Sequence, residues 1–157
     1  MYQDLLNTAI KAAAAGAEIL RKEANTLSAA DIDEKGVHDF VTRVDKASEE
    51  AVIKVIREKH PDHSILAEES GYHQQQSEFR WVIDPLDGTT NFIHGYQSYC
   101  VSVAVENKGK VVAGVVNDPT RDEVFTASRG NGAYINDARI RVSDVKSLDR
   151  ALILTGF

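Results

Sequence analysis

The stretch from Trp81 to Gly95, WVIDPLDGTTNFIHG, constrains this chain more than any other. Trp81-Val82-Ile83 is a short apolar, β-branched run that predicts a buried strand, and Asp84 falls where that strand would end. Strand ends are where α/β proteins place their chemistry. Pro85 fixes its own φ and biases Asp84 toward extended backbone, so the first carboxylate sits on stiff main chain and the second, Asp87, arrives one turn later. Two carboxylates so close repel each other unless a positive charge lies between them. Hard oxygen ligands with no adjacent Cys or His suit Mg²⁺ rather than zinc. Gly88 lets the backbone turn sharply or approach a ligand, and Thr89-Thr90-Asn91 predicts the capped start of a helix whose N–H groups receive an anion. Cation ligands beside anion donors suit a metal-bound phosphate ester.

Asp84-Pro85 with Asp87-Gly88, taken alone, reads as an ordinary surface turn. The full string Asp84-Pro85-Leu86-Asp87-Gly88-Thr89-Thr90-Asn91-Phe92, behind an apolar strand, is far more specific. It resembles the signature of the inositol monophosphatase family, within the lithium-sensitive, Mg²⁺-dependent sugar-phosphatase superfamily. The Thr-Thr-Asn-Phe continuation is closer to inositol monophosphatases than to the fructose bisphosphatase or bisphosphate nucleotidase branches. The resemblance runs over all 157 residues, which match the family's N-terminal half only.

That resemblance implies roles elsewhere. Gly36-x-x-Asp39-x-Val41-Thr42-x-x-Asp45 is similar to the family segment whose last Asp orders the attacking water through a threonine, so Asp45 would work with Thr89. Alone, Asp45 reads as a first-turn acid favourable to the helix dipole. Lys35 matches a lysine of the family's active-site loop. Glu68-Glu69-Ser70-Gly71, otherwise a solvated turn, resembles the family's metal segment, in which Glu68 is a direct ligand and Glu69 its support. Gly130-Asn131-Gly132-Ala133-Tyr134-Ile135-Asn136 resembles the family's Gly-x-Gly-Ala-x-x-Asn segment. It is no dinucleotide loop, because a strand rather than a helix follows.

Along the chain, Leu6, Ile10, Ala13, Ala17 and Leu20 at steps of three and four predict an amphipathic helix over 3–24. Residues 25–34 read as a loop. A second helix follows Asp45 to about Lys59, with Ala51, Val52, Val55 and Ile56 on its apolar side and Pro61 closing it. His63–Ala67 predicts a short strand, 72–80 a polar loop, and 98–106, 110–116 and 124–128 an antiparallel meander joined by turns. Ala151–Phe157 reads as a buried strand, the first of a second α/β half, with residues 1–150 forming the first unit.

The composition is that of an ordinary globular protein, and the net charge of −6 gives no support to a nucleic-acid surface. No run is apolar enough to span a bilayer and the start lacks a secretory signal, so the expected setting is the cytoplasm. Cys100 is the only cysteine and reads as a small buried hydrophobe. His38, His60, His63, His73 and His94 show no ligand spacing and read as surface or packing residues.

The expected fold is layered α/β (α+β), two helices on an antiparallel sheet, which the resemblance identifies with the first half of an αβαβα sandwich. The resemblance implies Mg²⁺-dependent hydrolysis of a small phosphate monoester, inositol monophosphate above all, by a metal-activated water. Glu68, Asp84 and the Leu86 carbonyl would hold one Mg²⁺, and Asp84 and Asp87, with an aspartate of the family's second half, would share a second, about 3.5–4 Å away. Gly88, Thr89 and Thr90 would bind the phosphate, with Asp45, Glu68 and Thr89 serving the attack. The full-length protein would be a homodimer with no nucleic-acid or membrane partner. The alternatives are a non-catalytic half acting in binding or assembly, and 3′-phosphoadenosine phosphatase activity.

Overall fold

The computed structural model of the chain describes residues 2–36 and 39–154. The side chains at 29 and 34–40, Lys35 among them, lie outside the described residues, as do His38 and 155–157.

Helix α1 (Gln3–Glu23) buries Leu5, Leu6, Ala9, Ala12, Ala13, Gly16, Ala17 and Leu20 along one stripe. Strands β1 (Ile32–Gly36) and β2 (Asp39–Thr42) form an antiparallel ribbon, part of which falls in the segment read as a loop. Ile32-Asp33-Glu34 has no apolar alternation, so its strand character comes from pairing with β2 and is invisible locally. Helix α2 (Arg43–Lys59) starts two residues before Asp45 because Thr42 caps it: the Thr42 hydroxyl accepts the Val44 N–H, and Asp45 reaches back to the Thr42 N–H.

The remaining strands are β3 (Ser64–Ala67), β4 (Gly71–His73), β5 (Phe79–Asp87), β6 (Cys100–Asn107), β7 (Lys110–Asp118), β8 (Glu123–Ser128), β9 (Gly132–Ile135) and β10 (Ala138–Ile140). The short helix α3 (Thr89–Ile93) lies between β5 and β6. The eight strands form one sheet in the order β10-β9-β8-β7-β6-β5-β3-β4. The sheet is mixed, because β3 and β5 run parallel while every other neighbouring pair is antiparallel. Strand β4, in the segment read as a polar loop, carries the chain back to the end where β3 began, so β5 must start there and run alongside β3.

Helix α1 covers β6, β7 and β8, and α2 covers β5. Between helices and sheet lie Leu20, Val52, Ile56, Trp81, Val101, Val103 and Val105, all fully buried. His60 and His63 pack here as expected: their rings stack at 4.6 Å, and the Trp81 Nε1–H donates to His63 Nδ1 at 3.1 Å. The opposite sheet face has no helix on it among the described residues, and Leu66, Val116, Phe125 and Ile140 are each more than a third exposed there. Residues 151–154, read as the start of a buried strand, pair with no strand, and Leu152 and Leu154 are exposed. An apolar run without a neighbouring ladder has no reason to become a strand.

Candidate active site

Two parallel strands deliver the acids. The β3–β5 register sets Ala67 beside Ile83, so the next residues, Glu68 just past the end of β3 and Asp84 still within β5, come out at the same end of the pair. Their side chains interact there, and Glu68 draws the Asp84 pKa down. Strand β5 runs on past Asp84 to Asp87, further than the apolar run suggested. Asp84 pairs with Ser102 and Asp87 with Cys100, so β5 advances one residue more than β6 and bulges across Pro85-Leu86. A bulge is where a sheet tolerates proline and re-aims side chains. Asp84 Oδ1 accepts the Leu86 N–H at 3.2 Å, which holds the corner.

Burial pushes the Asp84 carboxyl above the ordinary range. The nearby Asp87 and Asp45 charges add to this, and the hydrogen bonds from Glu68 and the Leu86 amide oppose it. Among the described residues no lysine or arginine pairs with Asp45, Asp84 or Asp87. Among the described residues the site is therefore acidic.

Gly88 follows with φ +93°, and a Cβ there would sit 2.8 Å from the Ser98 carbonyl. Only glycine meets both conditions without strain. The helix it opens has five residues, too short for a substantial dipole, so anion affinity at Gly88, Thr89 and Thr90 would come from individual amides and hydroxyls. Thr90 is exposed. The Thr89 hydroxyl lies 3.0 Å from Asp45 Oδ1 and 3.0 Å from the Leu86 carbonyl oxygen. Its single proton is shared between two acceptors, which leaves its oxygen lone pairs for a donor such as water.

Asp45 is no idle first-turn acid. It is 2% exposed; its Oδ2 takes the Thr42 N–H and hydroxyl at 2.9 and 2.6 Å, and its Oδ1 takes Thr89. The structure thus brings Asp45 and Thr89 together on one side and Glu68 and Asp84 on the other, with Asp87 exposed at the rim. Cys100 is half-buried beside these acids rather than inside the core, its Sγ 3.8 Å from Asp87 Oδ2. Burial first, then the Asp87 and Asp84 charges, push its thiol up to about 12, the reverse of an activated nucleophile. Asn136, in the turn between β9 and β10, ties it to the start of β8 by accepting the Val124 N–H and donating to the Asp122 carbonyl.

Two residues of α2 escaped sequence reasoning. Ser48 donates to the Pro85 carbonyl at 2.8 Å, and Glu49 accepts the Glu69 and Ser70 N–H groups at 2.7 and 2.8 Å. A signal existed: both lie three or four residues from Asp45 and Val52 on the buried stripe of α2, where polar side chains need a reason.

The donor set for a cation is all oxygen: Glu68, Asp84, Asp87 and the Leu86 carbonyl. Among the described residues no three His, Cys, Asp or Glu side chains close round a point that could hold a metal ion. The chain therefore presents a carboxylate pair with a third acid at its edge, not a cage. Mg²⁺ is bound in this manner, through one or two carboxylates plus waters and substrate phosphate, so the residues fit it.

A layered α/β fold whose mixed sheet ends in paired acids beside a glycine-opened helical turn defines a phosphatase-type scaffold. The sequence profile of the inositol monophosphatase family matches residues 1–157, and the chain belongs to that family. Among individual proteins, it is 46% identical over 158 residues to the Nus factor SuhB of Pseudomonas aeruginosa, covering 99% of this chain and 58% of that protein. The crystal structure of the extragenic suppressor protein suhB of Bartonella henselae superposes with a TM-score of 0.85 at 38% identity, over 90% of this chain and 55% of that one. The inositol monophosphatase of Anabaena (Nostoc) superposes at 0.77 with 41% identity, over 91% and 51%. The chain spans little more than half the length of the relatives it matches.

Proposed function

We propose that the protein to which this chain corresponds hydrolyses a small phosphate monoester, inositol monophosphate above all, with Mg²⁺ as its cofactor. The observation that carries this reading is the Thr89–Asp45 hydrogen bond standing beside the Glu68–Asp84 pair. Glu68, Asp84, Asp87 and the Leu86 carbonyl would hold the cation. When bound, it supplies positive charge to the phosphoryl oxygens and makes water a better nucleophile near neutral pH. The Thr89 hydroxyl, fixed by Asp45, accepts a hydrogen bond from the attacking water and aims it. In this reading Glu68, or Asp45 by way of the Thr89 hydroxyl, takes that water's proton. The amides of Gly88 and Thr89, with the Thr90 side chain, cradle the phosphate. The family resemblance further suggests a homodimer in the cytoplasm.

Because the chain covers 58% of the Pseudomonas relative, the test supplies that relative's remaining segment in trans. Phosphate release from inositol 1-phosphate is then measured with and without Mg²⁺. The expected result is Mg²⁺-dependent turnover that needs the added segment, since a misplacement on the order of 1 Å costs about 100-fold. Asp87→Asn should abolish most of it, and turnover within about threefold of the parent at saturating Mg²⁺ would remove Asp87 from the scheme. A panel including 3′-phosphoadenosine 5′-phosphate settles the substrate class. Absence of any turnover would favour the binding or assembly reading, to which the uncovered apolar sheet face lends its one observation.

A further inference from the structure

Glu49 stands on α2 one turn after Asp45, and it is 3% exposed. Its Oε2 accepts the Glu69 N–H at 2.7 Å and its Oε1 the Ser70 N–H at 2.8 Å. Both oxygens are thus committed to consecutive amides of the turn that leaves β3, and the residue just before that pair of amides is Glu68. A buried carboxylate is a costly way to join a helix to a turn when apolar contact would serve. What it adds is direction: two amides at fixed spacing on one rigid fork set the orientation of the turn as well as its distance from the helix.

We propose that Glu49 is a positioning residue for Glu68, clamping the β3–β4 turn to α2 so that the Glu68 carboxylate meets Asp84 in the arrangement a divalent cation requires. The proposal rests on the reading of Glu68 and Asp84 as cation ligands. Helix α2 then serves both sides of the site: Asp45 holds Thr89, and Glu49, four residues on and so on the same helix face, holds the Glu68 turn. Gln in place of Glu49 keeps the volume but turns one acceptor into a donor, which would face a backbone N–H.

The test titrates Mn²⁺, which shares the oxygen preference of Mg²⁺, into this chain and its E49Q, E49D, E50Q and E68Q variants. Free ion is counted by electron paramagnetic resonance. E49Q should bind at least about 10-fold more weakly than the parent, as loss of a ligand-orienting partner does. E49D should recover part of the loss. E50Q removes the same unit of charge from the exposed neighbour of Glu49 and should bind like the parent. Thermal melts on the same samples separate positioning from bulk stability: a merely structural Glu49 lowers the melting temperature and leaves the metal affinity of folded protein unchanged. That result overturns the proposal, as does E49Q matching E50Q. Should E49Q fail to fold, E49D compared with E50Q decides the matter in the same way. If the parent and E68Q bind Mn²⁺ alike, the ligand reading itself fails and takes the proposal with it.

Discussion

Trp81 is fully buried and has one polar atom to satisfy, the indole N–H, which it gives to His63 Nδ1. The indole can only donate, so Nδ1 must be unprotonated for the bond to exist. Burial holds the His63 pKa below its ordinary value, with the charges of His60 and Arg57 adding and Asp62 opposing. The stacked His60 is lowered for the same first reason, with Lys59 adding and Asp4 opposing. The unfolded chain therefore binds more protons than the folded one just below the unfolded pKa of about 6.5. This contribution to stability is fully present above that pH and is lost as the pH falls below it through the lower folded pKa. Trp81 is the only tryptophan, so its fluorescence reports the event. Emission should change as the pH falls below about 6.5 in the parent and stay flat in His63→Gln, which keeps an acceptor but does not titrate. The same two proteins should draw together in melting temperature as the pH falls. A flat parent titration would mean that the ring never protonates in the folded state. Sequence placed Trp81 in a buried strand and left His63 as a surface or packing residue, yet could not pair them, because they lie 18 residues apart.

At the scale of elements, the contact between α1 and α2 depends on Gly16. A Cβ at that position would come 2.7 Å from Ser48 Oγ, 2.9 Å from Val52 Cγ2 and 3.3 Å from Val101 Cγ1. The two helices therefore meet each other and β6 at this one point, and Ser48 in turn holds the Pro85 carbonyl of the bulge. Gly16→Val should destabilise the chain by about 1–3 kcal/mol, as overpacking does, read as a lower denaturant midpoint. An unchanged midpoint would show that the helices separate freely there. Both long helices were legible because their apolar residues repeat at 3.6 and Pro61 closes the second, whereas the Thr42 cap that starts α2 two residues before Asp45 was not read. Strands β1, β2 and β4 were not, since short polar segments become strands only by pairing with partners that sequence does not reveal. The parallel β3–β5 pair escaped for the same reason, although it is what sets Glu68 beside Asp84.

For the molecule as a whole, the sheet is half dressed. Helices α1 and α2 cover one face, while Val116 and Phe125, cross-strand neighbours on β7 and β8, remain more than a third exposed on the other. Apolar patches of this kind bind apolar dyes and promote association. The chain should enhance anilinonaphthalene sulfonate fluorescence while fully folded, and a Val116→Lys, Phe125→Lys double variant should lose roughly half or more of that signal. An undiminished signal would move the dye to the exposed Leu152–Leu154 segment and sink the assignment to the sheet face.

The sequence by itself determined the two long helices, the meander from β6 to β8, the acids Asp84 and Asp87 flanking a bend, and the family to which the string from Asp84 to Phe92 belongs. These are local facts, set by periodicity, by proline and glycine, and by a motif whose residues are consecutive. The tertiary structure alone decided that Glu68 meets Asp84 through a parallel strand pair and that Asp45 is buried against Thr89. It alone set Cys100 at the rim of the site rather than in the core, and fastened Glu49 to the turn behind Glu68. Each of these joins residues far apart in the chain, and such contacts exist only once strand order and helix packing have been chosen.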